Sequence, residues 1–391
     1  MDKQKQTNKW NIILAITGIF AAIAITILIS GIAARDLSEP EPTEPPAPTE
    51  PASYTLMDSF DRLIEDDIND ANTAMLEVKK VYWIREDAEI APKPNPERYG
   101  ETKDPSTLQW LLDEAAEILD GQEILFRTDV EVYPDSTVTY YLDESIFVIT
   151  WQQLIDNFVY TFSETKITHP SQFRRYLANN EYNSDYMHPV SRMGTMANAV
   201  MAASADYYRG RNHGIIVYQG EVKRTNYSEL VDTCFVDKNG DLILVPAGEL
   251  IGIEAAQKFV DENEIDFSIA FGPILVDNGV RCEPENYYLG EVNDKYPRAA
   301  LCQKDDLHYI VVIANGKDGY WNRPTIHDFA NRIAELNCQK AYTLDGGQTG
   351  TIAMNGKALN PVQVFERWIS DIIVFATAIP SEETLPQVTE P

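Results

Sequence analysis

The chain has 391 residues, 44% of them hydrophobic, enough to bury one large core or two modest ones and too many for a wholly disordered protein. Its 61 Asp and Glu against 32 Lys and Arg leave a net charge of −29, which argues against nucleic acid as a partner, since that binding needs clustered cations that release counterions. Four cysteines, Cys234, Cys282, Cys302 and Cys338, are too widely spaced for a Cys-x-x-Cys zinc site or redox pair.

Residues 12–34 form an uncharged run of Ile, Leu, Ala and Phe, interrupted only by Thr17, Thr26, Ser30 and glycines. Its length suffices to cross a bilayer core and exceeds the usual signal-peptide core. Lys3, Lys5 and Lys9 precede it, so an uncleaved anchor is expected, with residues 1–11 cytoplasmic and the remainder outside the cell; cleavage near Gly31-Ile32-Ala33 is the competing reading. Residues 35–55 follow as a linker. Within it, 38–52 hold six prolines and four glutamates in 15 residues and no large apolar side chain, which makes a spacer. The tail at 380–391 has the same chemistry and is expected to be disordered.

From 56 to 125 the apolar spacing is helical, through Leu63, Ile64 and Ile68 and again through Leu108, Leu111, Leu112, Ala115 and Leu119, with Pro92, Pro94 and Pro96 between the two runs. A helical pair is expected, either a separate stalk or a flap on the main domain. From 126 to 379 strands and turn signals alternate. Hairpins are predicted over 233–245 around Asn239-Gly240, over 351–359 around Asn355-Gly356, and over 299–314 through Lys304, Asp305 and Asp306. Helices are predicted over 193–205, rich in small residues, and over 325–337, where Thr325 and Asp328 resemble a capping box. The fold class is mixed α+β with a hairpin-rich sheet, and no internal repeat is visible.

An apolar strand, Ala341-Tyr342-Thr343-Leu344, leads into Asp345-Gly346-Gly347-Gln348-Thr349-Gly350-Thr351. An acid at a strand end followed by two glycines suits a ligand that must approach backbone amides closely, although Gly-Gly also makes an ordinary turn. Other segments accompany it in order: Ala203 to Tyr208, Arg209-Gly210-Arg211-Asn212-His213-Gly214, Phe271 to Gly279, Tyr296-Pro297-Arg298, and Glu366-Arg367 before Ser370-Asp371. Together they resemble the phosphodiester glycosidase family over roughly 128–378. Gln348 stands where that family usually has glycine, and Thr349 replaces a serine.

The resemblance implies a hydrolase acting on a sugar-1-phosphodiester, whose leaving group is already a phosphate anion. Asp345 and Asp206 would supply the two carboxylates and Arg298 a catalytic cation. Arg367 would bind phosphate oxygens as a planar fork. Gly346, Gly347, Gln348, Thr349, Asn278, Arg209 and His213 would line the substrate. Blander readings stand beside these: a surface ion pair for Arg298, a turn cap for Asp206, a solvated loop for His213 and a hairpin turn for Asn278. Arg209, Arg211 and Arg224 form a basic cluster on an acidic chain. No Gly-x-Ser-x-Gly elbow supports a serine hydrolase. No cofactor is required, and a divalent cation lacks an Asp-x-Asp-x-Asp-Gly loop, leaving metal unknown. The expected partner is a glycan or sugar-phosphate polymer, and the expected place is the outer face of the cell membrane. A non-catalytic glycan-binding or envelope-assembly protein with the same pocket is the alternative. In an oxidising exterior Cys234–Cys282 with Cys302–Cys338 is one of three possible disulfide pairings.

Overall fold

The structure, a computed structural model, describes residues 81–118, 123–288, 294–317, 323–361 and 365–381. The expected anchor, linker and first helical run therefore lie outside the described residues, as does nearly all of the tail. Among the described residues no helix is long and apolar enough to cross a membrane.

A nine-stranded sheet organises the body. Its order is Tyr99–Thr102, Val138–Leu142, Ile146–Ile155, Phe158–Ile167, His308–Gly316, Arg298–Asp305, Lys340–Leu344, Ile274–Asp277 and Val280–Arg281, antiparallel at every pairing. Alternation along its strands builds two cores, because successive side chains leave a strand on opposite faces. Phe147, Ile149, Ala300, Cys302, Ile310 and Val312 face the helices Pro105–Ile118 and Ile326–Ala334. Ile146, Val148, Ala299, Leu301, Val311 and Ile313 face two smaller sheets. One has five strands, Lys357–Ala358, Ile352–Met354, Met201–Ser204, Asp371–Phe375 and Phe173–Leu177. The other has three, Leu242–Val245, Thr233–Asp237 and Ile265–Ile269, with the hairpin Gly214–Tyr218/Glu221–Asn226 beside it. The hairpin is attached through a side chain: Ser268 Oγ accepts from Val217 N at 2.8 Å and donates to Ile215 O at 2.7 Å.

Several expectations meet their outcome here. Thr325 and Asp328 form the capping box, each side chain accepting from the other's backbone amide, at the start of Ile326–Ala334. Asn355-Gly356 and Asn278-Gly279 are tight turns with both residues at positive φ. Around Asn239-Gly240 only Gly240 is left-handed among the two; the loop is wider, and Asp237 Oδ1 accepts from the Asn239 and Asp241 amides. The helix expected over 193–205 is instead a short helix, Val190–Met196, and then the strand Met201–Ser204. That strand is flanked by partners on both sides, and Ala202 and Ala203 face different cores, so tertiary pairing overrides helical propensity. Within the helical region expected over 56–125, the described part joins the main body: Pro105–Ile118 packs Leu108, Leu111 and Ala115 on the large sheet, and Tyr99–Thr102 is its edge strand. All four cysteines are free thiols, with Cys302 and Cys338 side by side in the helix-facing core.

Candidate active site

The two main sheets meet where Lys340–Leu344 and Met201–Ser204 end. Asp345 N donates to Ala205 O at 2.8 Å, and Ser204 Oγ donates to Asp345 O at 3.2 Å, which fixes the acid at the seam. The chain then makes one tight turn in which Thr349 N and Gly350 N both donate to Gly346 O, at 3.1 and 3.2 Å. Asn360 pins the turn from behind, donating to Gly350 O at 2.9 Å and accepting from Ile352 N at 2.8 Å. Gly346 lies so close to the neighbouring strand that a Cβ there would sit 2.3 Å from Pro297 O. Gly347, at φ 62, donates to the same carbonyl at 2.8 Å and leaves open space where a side chain would stand.

Asp345 is 7% exposed. Burial pushes its carboxyl up to about 6, against the pull of the Arg211 guanidinium, a hydrogen bond from Thr349, the Arg367 guanidinium, and the push of Asp371. The Thr349 hydroxyl faces the Gly346 carbonyl as well as that carboxylate. Both cations rest on rings: Arg211 lies 4.5 Å from the Phe271 centroid and Arg367 lies 5.1 Å from that of Tyr207. Stacking on a ring face holds a guanidinium in place by cation–π attraction, and its planar charge is what an oxyanion would meet.

Asp206 has a different place. It is wholly buried in an ion triad, where Arg175 Nη2 donates at 2.7 Å to Asp206 Oδ1 and at 2.7 Å to Asp371 Oδ2, all side chains at 0% exposure. Its second oxygen accepts from Ala270 N at 2.7 Å. Burial raises its affinity for a proton and Arg175 opposes that. Asp371 also accepts from Tyr208 N at 3.3 Å and Ser370 Oγ at 2.8 Å. The triad thus fixes the chain at 204–208 beneath the Asp345 turn, and neither oxygen of Asp206 is left for a substrate.

The structure brings together Asp345, Gly346, Gly347, Gln348, Thr349 and Arg367, with Gln348 exposed at the tip of the turn. It does not bring in the others in the same way. Arg298 contributes its backbone to the packing under Gly346, while its guanidinium donates to Asp294 O and lies 5.9 Å from the Tyr296 ring; burial lowers its proton affinity to about 10. Arg209 holds Ser184 O and lies 3.6 Å from Asp185. His213 packs its ring 5.2 Å from Tyr227 and 5.8 Å from Tyr288, with Nδ1 buried and unpartnered. Asn278 sits in an exposed turn whose Gly279 N donates to Gln339 O, at the opposite end of Lys340–Leu344 from Asp345, about 16 Å along the strand. Residue-type reasoning passed over Arg211 as part of a charge cluster and missed Arg175 altogether. Two arginines inside the apolar strand Phe173–Leu177 were the available signal for the latter.

A hollow of about 850 Å³, lined by Trp83, Arg174, Tyr218, Lys238 and Asp266 among others, does not include Asp345. Another of about 530 Å³ takes in Arg209, Asn212 and Arg224. Charge and burial, not hollow size, single out the Asp345 turn. Among the described residues no three His, Cys, Asp or Glu side chains converge as a metal ion would need.

Comparison with known proteins gives one family model, one relative and two solved structures. Residues 197–376 match the family model described as phosphodiester glycosidase. The SPbeta prophage-derived uncharacterized protein YomE of Bacillus subtilis (strain 168) is 26% identical over 118 residues, which are 30% of this chain and 18% of that protein. Among solved structures, a hypothetical protein from Synechocystis aligns at TM-score 0.46 with 13% identity, covering 63% of this chain and 64% of that one. The zebrafish N-acetylglucosamine-1-phosphodiester alpha-N-acetylglucosaminidase catalytic domain, auto-inhibited by its pro-peptide, aligns at TM-score 0.46 with 15% identity, covering 67% and 92%. The chain thus spans less than two thirds of the length of the first two.

Proposed function

Because residues 197–376 match the phosphodiester glycosidase family model, we propose that the protein hydrolyses the glycosidic bond of a sugar-1-phosphodiester, held to the outer face of the cell membrane by residues 12–34. The observation that carries the reading is the Asp345 carboxyl at about 6 with the charges of two ring-stacked arginines acting on it. At neutral pH that group is mostly ionised yet still basic, which suits it to take a proton from water attacking the anomeric carbon. The bond between that carbon and the phosphate oxygen breaks, and its electron pair stays with the phosphate monoester. Arg211 and Arg367 meet the charge that develops there.

A second carboxylic acid is not needed at the leaving oxygen, because a phosphate departs as an anion without first being protonated. This fits the confinement of Asp206 in the ion triad, where it positions the chain under the site. With the Arg298 guanidinium on Asp294 O, Asn278 in a distant turn and His213 packed between tyrosines, this reading rests the chemistry on the Asp345 turn and the two stacked arginines. The confinement of Asp206 also favours a second reading, a glycan-binding protein without turnover.

Asp345→Asn separates the two. As a hydrolase, the protein loses about 100-fold or more of kcat on a sugar-1-phosphodiester while still binding it. Unchanged turnover in the variant would remove Asp345 from the chemistry, and a wild-type protein that binds but never hydrolyses would support the second reading.

A further inference from the structure

The rim next to Arg367 carries large rings in water. Phe365, Trp368 and Tyr186 are 67, 55 and 65% exposed. They sit on two segments that the backbone ties together, His188 N donating to Ile369 O at 3.2 Å and Ile369 N to His188 O at 3.0 Å, with the His188 and Trp368 rings 6.1 Å apart. Trp368 directly follows the arginine whose charge reaches Asp345, and the same arginine lies on Tyr207. An indole left this far in water forgoes the burial that large rings ordinarily gain. Rings exposed in this number on two paired segments, one of which also carries Arg367, mark a surface that another molecule covers.

The chemistry around the rings selects that molecule. Asn183 and Asp185 are exposed on the same stretch as Tyr186, with Asp185 3.6 Å from Arg209; Ser184 Oγ accepts from Tyr186 N, and Asn179 Oδ1 meets His188 Nε2 at 3.3 Å. Flat apolar faces edged by amide and carboxylate groups match a pyranose ring, which has an apolar C–H face and a circumference of hydroxyls. An anionic surface is opposed by the net charge of −29.

We propose that Trp368, with Tyr186 and Phe365, is a stacking platform for neutral sugar rings, so that the phosphodiester reaching Asp345 belongs to an oligosaccharide or longer glycan. This rests on the reading of Asp345 as a sugar-phosphodiester site and extends it to the substrate's length. The test is titration of the full chain with cello- and chito-oligosaccharides of one to four units, followed by tryptophan fluorescence and calorimetry. In at least one series affinity rises several-fold with each ring. Trp368→Ala weakens the tetramer by about tenfold and Trp368→Phe recovers most of that, with thermal unfolding unchanged in both. No dependence on length, no saturable binding of either series at millimolar concentration, or a folded Trp368→Ala protein that binds as the wild type does overturns the proposal. Oligosaccharide binding with no hydrolysis of a sugar-1-phosphodiester supports the platform and counts against the hydrolase. Hydrolysis of a small sugar-1-phosphodiester with no oligosaccharide binding does the reverse.

Discussion

Asp345 is a carboxyl whose burial costs stability and, on the proposed reading, makes it a base. Its folded value of about 6 lies above the ordinary 3.8, so the folded protein keeps a proton that the unfolded chain has released. Folding stability therefore falls as pH rises from about 4 to about 6 and is level above that, a loss of about 3 kcal/mol from this one group. Asp345→Asn should recover up to that amount at pH 7, read as a higher denaturant midpoint, with no gain at pH 3. Turnover should run the other way, rising with pH to a plateau above about 6 as the base ionises. Arg211 and Arg367 both pull the carboxyl down, so Arg211→Gln and Arg367→Gln should each move that rise to higher pH. A pH profile left in place by both variants would mean that neither cation acts on the base.

The turn that carries Asp345 is built on closeness. Gly346→Ala would drive a methyl group into Pro297 O, and because that carbonyl belongs to the backbone the turn itself must shift. The expected result is a loss of most activity, by about 100-fold for displacement on the order of 1 Å, with only modest loss of stability; wild-type kcat would show that the turn tolerates movement. Such turns were legible in the sequence because their signals are local: Asp-Gly-Gly after an apolar strand, Asn355-Gly356, and Thr325 three residues before Asp328. Elements decided at a distance were not. The small residues of 193–205 read as helix until Met201–Ser204 is seen between two strands. Asp206 read as a reactive acid because Arg175, 31 residues earlier, and the second acid of the triad, Asp371, 196 residues from that arginine, leave no mark on its neighbours in the chain. Arg298 and Arg211 reversed roles for the same reason, since which guanidinium faces an acid is fixed by the meeting of two sheets.

Among the described residues the sheets are layered, and buried charge holds the seam between them. Arg175→Met would leave two carboxylates at zero exposure with no cation between them, a loss of about 3–5 kcal/mol that should shrink as pH falls and Asp206, whose proton affinity burial already raises, takes up a proton. A variant as stable as the wild type at pH 7 would show that the triad is not what fixes the seam. An acidic body meets an anionic substrate only through local cations. The central claim is nonetheless about one bond, and hydrolysis of a sugar-1-phosphodiester in ¹⁸O-labelled water tests it most directly. Attack at the anomeric carbon places the label on the sugar's new hydroxyl and none on the phosphate. Label in the phosphate would mean that water attacks phosphorus, and it would contradict the account.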